Sequence, residues 1–167
     1  LTLALVVLCR FGSLAQEKIA YELSFSKPST HYVEVKMEVE NYLADTVVLR
    51  LPVWTPGSYL IREFSRNVDG FEAYVNGQAV PARKFEKNAW RVIKPKDAAL
   101  ELRYRVYCRE FSVRTSYVNN HQAALMGTTL FMFVPGLEQR RHEVRIIPHK
   151  SWKNIATALR KTGKSDW

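Results

Sequence analysis

Apolar and polar residues alternate along most of this chain with a period of two, the spacing that puts side chains on the two faces of a β-strand. Ile19, Tyr21, Leu23 and Phe25 share one side of the first such run, which stops at Lys27-Pro28-Ser29. Val33, Val35, Met37 and Val39 then alternate with Glu34, Lys36, Glu38 and Glu40. One face is apolar and the other charged, as in a sheet with one side in water. Asn41-Tyr42-Leu43-Ala44-Asp45 reads as the hairpin connection to a third strand over residues 46–51. Phe71, Ala73 and Val75 mark a strand ending at Asn76-Gly77, the strongest short hairpin signal in the sequence. Phe85, Trp90 and Val92 continue the pattern around a tight turn at Lys87-Asn88, and Pro95-Lys96-Asp97 breaks it. Residues 100–106 alternate cleanly, with the pattern running on to Tyr107, Phe111 and Val113. After the polar stretch Asn119-Asn120-His121-Gln122, residues 128–134 are almost continuously apolar, which predicts a strand buried on both faces. Val144 and Ile146 give a last strand, closed by Pro148.

Nine or ten short strands with regular turn signals predict an all-β fold, an antiparallel double-sheet sandwich or saddle with short helical turns. One such turn is expected over residues 59–64. Another is expected after Ser151, which can cap a turn carrying Trp152, Ile155, Ala156 and Leu159. A chain of 167 residues, 47% hydrophobic and 12% aromatic, has room for one domain with a real core. Residues 1–9 are apolar but too few to cross a bilayer, and Ser13-Leu14-Ala15 places small residues where a signal peptidase reads. The expected organisation is a secretory signal over 1–15, a β-sandwich domain over 16–149, and a tail over 150–167 that leads to a further domain. The product would be exported, to the periplasm or beyond, with no membrane span. A lipid anchor on Cys9 is disfavoured by the bulk of Leu8.

Removal of the signal leaves Cys108 as the sole cysteine, so an intrachain disulfide and a thiolate metal site are both excluded, and Cys108 reads as a small buried hydrophobe. The formal charge of +9 suits anionic partners in principle. Yet Arg103 and Arg105 alternate with Leu102, Tyr104 and Val106, which places them on the wet face of a strand, and export argues against nucleic acid.

Local pattern does not explain the stretch that follows the third strand, Trp54-Thr55-Pro56-Gly57-Ser58-Tyr59. Pro56-Gly57 stops the sheet with a type II turn, since proline fixes φ and glycine accepts a positive one. Two readings are open. Trp54 and Tyr59 can plug the end of the core, or the loop can present Tyr59, Arg62 and Glu63 to a ligand or a neighbouring domain.

The segment Leu51-Pro52-Val53-Trp54-Thr55-Pro56-Gly57-Ser58-Tyr59-Leu60-Ile61-Arg62-Glu63-Phe64 resembles the hallmark of the N-terminal domain of the glycyl aminopeptidases, metallopeptidase family sixty-one. Lys87-Asn88-Ala89-Trp90, Val113-Arg114-Thr115-Ser116-Tyr117-Val118 and Trp152-Lys153-Asn154-Ile155-Ala156-Thr157-Ala158-Leu159 fit the same domain. The resemblance implies an N-terminal β domain followed, in the whole enzyme, by a thermolysin-like zinc domain that removes small N-terminal residues. It further implies docking on that catalytic domain through the 54–64 loop and the tail, with Trp54, Pro56, Gly57, Tyr59, Arg62 and Glu63 as the motif residues. By analogy of position, Asn120, His121 and Gln122 would form a rim near the free amine of a peptide substrate.

A catalytic apparatus is not visible in these residues. His31, His121, His142 and His149 lack a second histidine three or four positions away. His142-Glu143-Val144-Arg145-Ile146 begins like a zinc helix motif but ends in isoleucine and lies in a strand pattern. No nucleophile elbow or glycine-rich phosphate loop occurs. The sequence therefore predicts no catalytic residue, metal or cofactor in this portion, with zinc implied for the catalytic domain. The competing reading is a free-standing exported β-sandwich that binds an anionic ligand or glycan through Trp54, Tyr59 and its cations.

Overall fold

The computed structural model describes residues 17–163. The signal peptide expected over 1–15 and the last four residues of the tail lie outside the described residues. In chain order the elements are β1 (Lys18–Ser24), β2 (Tyr32–Glu40), β3 (Thr46–Arg50), β4 (Val68–Val75), β5 (Gln78–Val80), β6 (Ala82–Glu86), β7 (Ala89–Ile93), β8 (Leu100–Tyr107), β9 (Tyr117–Val118), β10 (Ala123–Ala124), the single helical turn α1 (Gly127–Leu130), and β11 (His142–Ile147). They form a six-stranded sheet in the order β11-β1-β2-β8-β4-β5, a three-stranded sheet in the order β3-β7-β6, and the small β9-β10 pair. The expected all-β double sheet is present.

Alternation decides which face of each strand is buried. Ile19, Leu23, Val35, Met37, Leu100 and Leu102 turn inward from the large sheet and share one core with Val47, Leu49, Trp90 and Val92 from the small one. Each of these larger apolar side chains removed from water contributes about 1.5–3 kcal/mol. The opposite face of the large sheet is a lattice of charges. Lys36 Nζ lies 2.7 Å from Glu38 and 3.3 Å from Glu101, Glu101 also holds Arg103 at 2.6 Å, and Arg105 pairs with Asp69. Lys36, Arg103 and Arg105 are thus paired with carboxylates on a solvated sheet face.

Two hairpin turns form as their residues dictate. Asn76 and Gly77 take φ of 51° and 77° between β4 and β5, as a type I′ turn requires. Lys87-Asn88 joins β6 to β7.

Several local expectations are corrected by tertiary pairing. The 41–45 segment is not a hairpin but a crossover between sheets: β2 already pairs with β1 on one edge and β8 on the other, so β3 goes to β7. Buried Lys94 fastens the crossover. Its Nζ donates to Tyr42 O at 2.8 Å and Pro95 O at 3.3 Å, its amide donates to Asp45 O at 2.8 Å, and burial pulls its pKa down. Strand β8 ends at Tyr107, so Phe111 and Val113 lie beyond it, 70% and 81% exposed, in a loop rather than a strand. The sheets are antiparallel except at one edge, where β11 runs parallel to β1.

The apolar run 128–134 is not a doubly buried strand. It is the α1 turn followed by an extended piece that meets β3 at one bridge, Arg50 to Phe133, with hydrogen bonds of 2.9 and 2.8 Å. Side chains take the place of strand partners elsewhere along it. Tyr21 Oη donates to Met132 O at 2.6 Å, while Tyr104 Oη donates to Leu130 O at 2.8 Å and accepts from Met132 N at 3.2 Å. The tail likewise forms no helical turn of the expected kind. A turn closed from Trp152 N to His149 O, 2.9 Å, is followed by extended chain.

Candidate functional site

The 54–64 loop leaves β3 and is clamped at its base by the β6-β7 turn. Leu51 N donates to Asn88 O at 2.9 Å, and Asn88 Nδ2 donates to Leu51 O at 2.7 Å. Arg62 N donates to Val53 O at 2.6 Å, which closes the loop on itself. Within it, Gly57 takes φ 82° and Ser58 N donates to Thr55 O at 3.0 Å, the type II turn expected from Pro56-Gly57. The far end is tied to the same hairpin: Ser65 Oγ donates to Lys87 O at 2.7 Å, and Lys87 Nζ lies 2.6 Å from Glu63. That ion pair holds the Glu63 carboxyl below its ordinary pKa, mainly through the hydrogen bond from Lys87.

With both ends fixed, the middle of the loop points away from the core. Trp54 is 47% exposed, Tyr59 84%, Leu60 65% and Ile61 73%, with the Trp54 and Tyr59 rings 6.2 Å apart. These two aromatics therefore do not plug the core. That role falls to Phe64, on a 3₁₀ turn (Phe64–Asn67), and to Trp90, which stacks on Phe71 at 5.2 Å. The helical turn thus starts where the sequence placed its end. The clamping role of Lys87 and Asn88 was not legible beyond a turn signal, because their partners Ser65, Glu63 and Leu51 lie 22, 24 and 37 positions away.

The polar stretch before the apolar run forms a closed turn between β9 and β10. Asn119 Oδ1 accepts from His121 N at 2.8 Å and Gln122 N at 2.9 Å, and Asn119 N donates to Gln122 O at 2.9 Å. His121 and Gln122 are exposed and line a cleft of about 730 Å³, whose other wall is the extended tail from Trp152 to Leu159. Asn120 acts through its backbone: its carbonyl accepts from Ser151 Oγ and from Trp152 Nε1, both at 3.1 Å. The Trp152 ring packs edge-on against Phe25 at 4.7 Å, so the fourth motif is seated on the residue that follows β1. The third motif is seated similarly. His31 Nδ1 donates to Val118 O at 2.5 Å, and Ser116 Oγ lies 2.7 Å from Thr129 Oγ1 while accepting from Met126 N at 2.8 Å. Arg114 of this motif makes no ion pair among the described residues, and its segment is exposed. The fold brings His121 and Gln122 to one cleft with the tail, and Glu63 does not line it.

Among the described residues, no group of three His, Cys, Asp or Glu side chains could hold a metal ion. His142 lies on β11 with its Nε2 3.1 Å from Leu137 O, and Glu143 is paired to Lys18 at 3.1 Å and Arg141 at 2.7 Å. These residues do not fit zinc. Cys108 is buried and its thiol is pushed up to about 12 by burial, the opposite of an activated nucleophile.

Among the described residues the chain is a two-sheet β domain with an outward apolar loop and no assembled reactive cluster. Sequence comparison makes the class specific: the chain matches over residues 20–167 and belongs to the peptidase M61 N-terminal domain family. Among solved structures it is similar to an aminopeptidase N family protein from Idiomarina loihiensis, at 30% identity and a TM-score of 0.74, covering 80% of this chain and 22% of that one. A zinc metallopeptidase of the M1 type from Deinococcus radiodurans also matches, at 15% identity and a TM-score of 0.36 over 59% of this chain and 21% of that one. No curated protein matches. This chain thus spans about a fifth of the length of the structures it resembles.

Proposed function

We propose that this chain is the non-catalytic N-terminal β domain of an exported zinc metallo-aminopeptidase resembling glycyl aminopeptidase. It docks on the catalytic domain through the 54–64 loop and the tail, and it helps to shape the substrate cleft. The observation that carries this reading is the loop itself. Four large apolar side chains, Trp54, Tyr59, Leu60 and Ile61, are held outward by a base of fixed hydrogen bonds. A rigid apolar surface of that kind gains free energy only when another surface covers it. His121 and Gln122, on the cleft beside the tail, are the candidates for a rim that hydrogen-bonds a substrate amine. Zinc belongs to the catalytic domain in this reading, and no step of its chemistry passes through the residues described here.

The test is direct. The purified chain, assayed on aminoacyl p-nitroanilides with and without zinc, is expected to show no turnover, whereas the same chain joined to the rest of its enzyme does. Stoichiometric zinc-dependent turnover by the chain alone sinks the proposal. Saturable binding of a soluble glycan through Trp54 and Tyr59 would instead favour a free-standing module.

A further inference from the structure

Arg62 lies near the end of the loop without a charged partner among the described residues. Its Nε is closed off from solvent and has no hydrogen-bond partner, and its guanidinium makes no ion pair among the described residues. The residue is half-buried and its backbone is held by the bond to Val53 O. The neighbouring carboxylate of Glu63 is engaged by Lys87. A guanidinium stays protonated and carries its donors in a fixed planar fork, and donors shut away from water are normally paired. The terminal guanidinium nitrogens are not among the shut-off atoms, so they are the donors that an acceptor outside the described residues can reach. Its surroundings say what kind: Tyr59, Leu60 and Ile61 precede Arg62 and are exposed, so whatever reaches the arginine also meets apolar side chains. A small soluble anion would leave those side chains uncovered. A protein surface with one carboxylate set in apolar groups would cover them, and aromatic residues with arginine are the composition of an interface centre.

We infer that Arg62 is the receptor for a carboxylate on the rest of the peptidase chain, paired through both arms of the fork and sealed by apolar contacts over Tyr59, Leu60 and Ile61. This rests on the proposal that the loop docks on the catalytic domain. The pairing sets the register of the two domains, because a planar fork accepts a carboxylate in few orientations.

The experiment uses the full-length enzyme and follows hydrogen exchange of the loop amides at 59–63, with the β2 and β8 amides as an internal check on folding. Arg62→Ala is expected to speed exchange in the loop about tenfold or more, as loss of one partner of an interfacial charge pair does, and Arg62→Lys to restore part of the protection. Arg62→Met, which keeps the apolar stem, replaces alanine if the core amides also loosen. Wild-type loop protection in Arg62→Met, alongside faster exchange in Leu60→Ser/Ile61→Ser, would overturn the carboxylate pairing and leave docking intact. Unchanged exchange in both variants overturns the docking proposal as well. A rise in KM for peptides with loop protection unchanged assigns the carboxylate to the substrate and also refutes the inference.

Discussion

Tyr104 and Leu130, 26 positions apart, are joined by a hydrogen bond of 2.8 Å from the phenol to the backbone carbonyl. The same hydroxyl accepts from Met132 N at 3.2 Å, and Tyr21 Oη reaches Met132 O at 2.6 Å from the neighbouring part of the sheet. Two tyrosines of the large sheet thus provide the hydrogen bonds that a missing strand would have made to the 130–132 backbone.

Removing the Tyr104 hydroxyl leaves a buried carbonyl and a buried amide without partners. Tyr104→Phe is expected to lower stability by about 1–3 kcal/mol, read as a reduced denaturation midpoint with an unchanged slope. A variant as stable as the wild type would show that the 130–132 backbone finds other partners.

Stability should fall on the alkaline side. Burial raises Tyr21 and Tyr104 far above the ordinary phenol value near 10, and raises Cys108 from near 9 to about 12. Each is neutral in the folded chain and ionises sooner when unfolded, so the contribution is complete below pH 9 and is lost as pH rises through 9–10 and beyond. Lys94 acts in the opposite direction, since its lowered pKa adds stability as pH rises toward 10.5. Urea midpoints measured from pH 8 to 11 are expected to drop, and Tyr21→Phe/Tyr104→Phe to flatten the drop above pH 10.

Gly57 tests the turn separately from packing. A Cβ there meets nothing within 4 Å, so the cost of Gly57→Ala comes from φ 82° alone, about 1–2 kcal/mol. Gly57→Asn is expected to cost less. Equal midpoints for both variants and wild type would mean the loop takes another turn in solution.

Asn88→Ala removes the donor to Leu51 O while leaving the backbone bond from Leu51 N. A loss of about 1 kcal/mol and faster amide exchange over 52–62 are the expected results, with the β1-β2 amides unchanged.

Trp54 reports on the loop directly. Acrylamide quenching of the chain alone is expected to fall when Trp54→Phe removes an exposed indole. If docking covers the loop, that difference shrinks in the full-length enzyme.

The strand faces were legible because alternation is a property of residues two apart, and Val33 to Val39 against Glu34 to Glu40 needed no partner to be read. The Pro56-Gly57 turn was legible for the same reason. The tyrosine pins were not, since Tyr21 and Tyr104 occupy apolar positions in their strands and their acceptors lie 111 and 26 residues away. Outward aim of Trp54 and Tyr59 was likewise hidden: large aromatics next to a turn serve equally well as plugs or as an outer surface, and Phe64 and Trp90 took the inner places.

Local chemistry therefore settles that this chain makes short strands with one wet face, turns at Asn76-Gly77 and Pro56-Gly57, and carries no contiguous catalytic motif. Pairing across the molecule decides that β2 joins β8 rather than β3, that β11 lies parallel to β1, and that Asn88 and Lys87 grip the ends of the exposed loop. The reason is physical: alternation specifies a buried face but not which face it meets, and that choice is made only when all the apolar faces compete for one core.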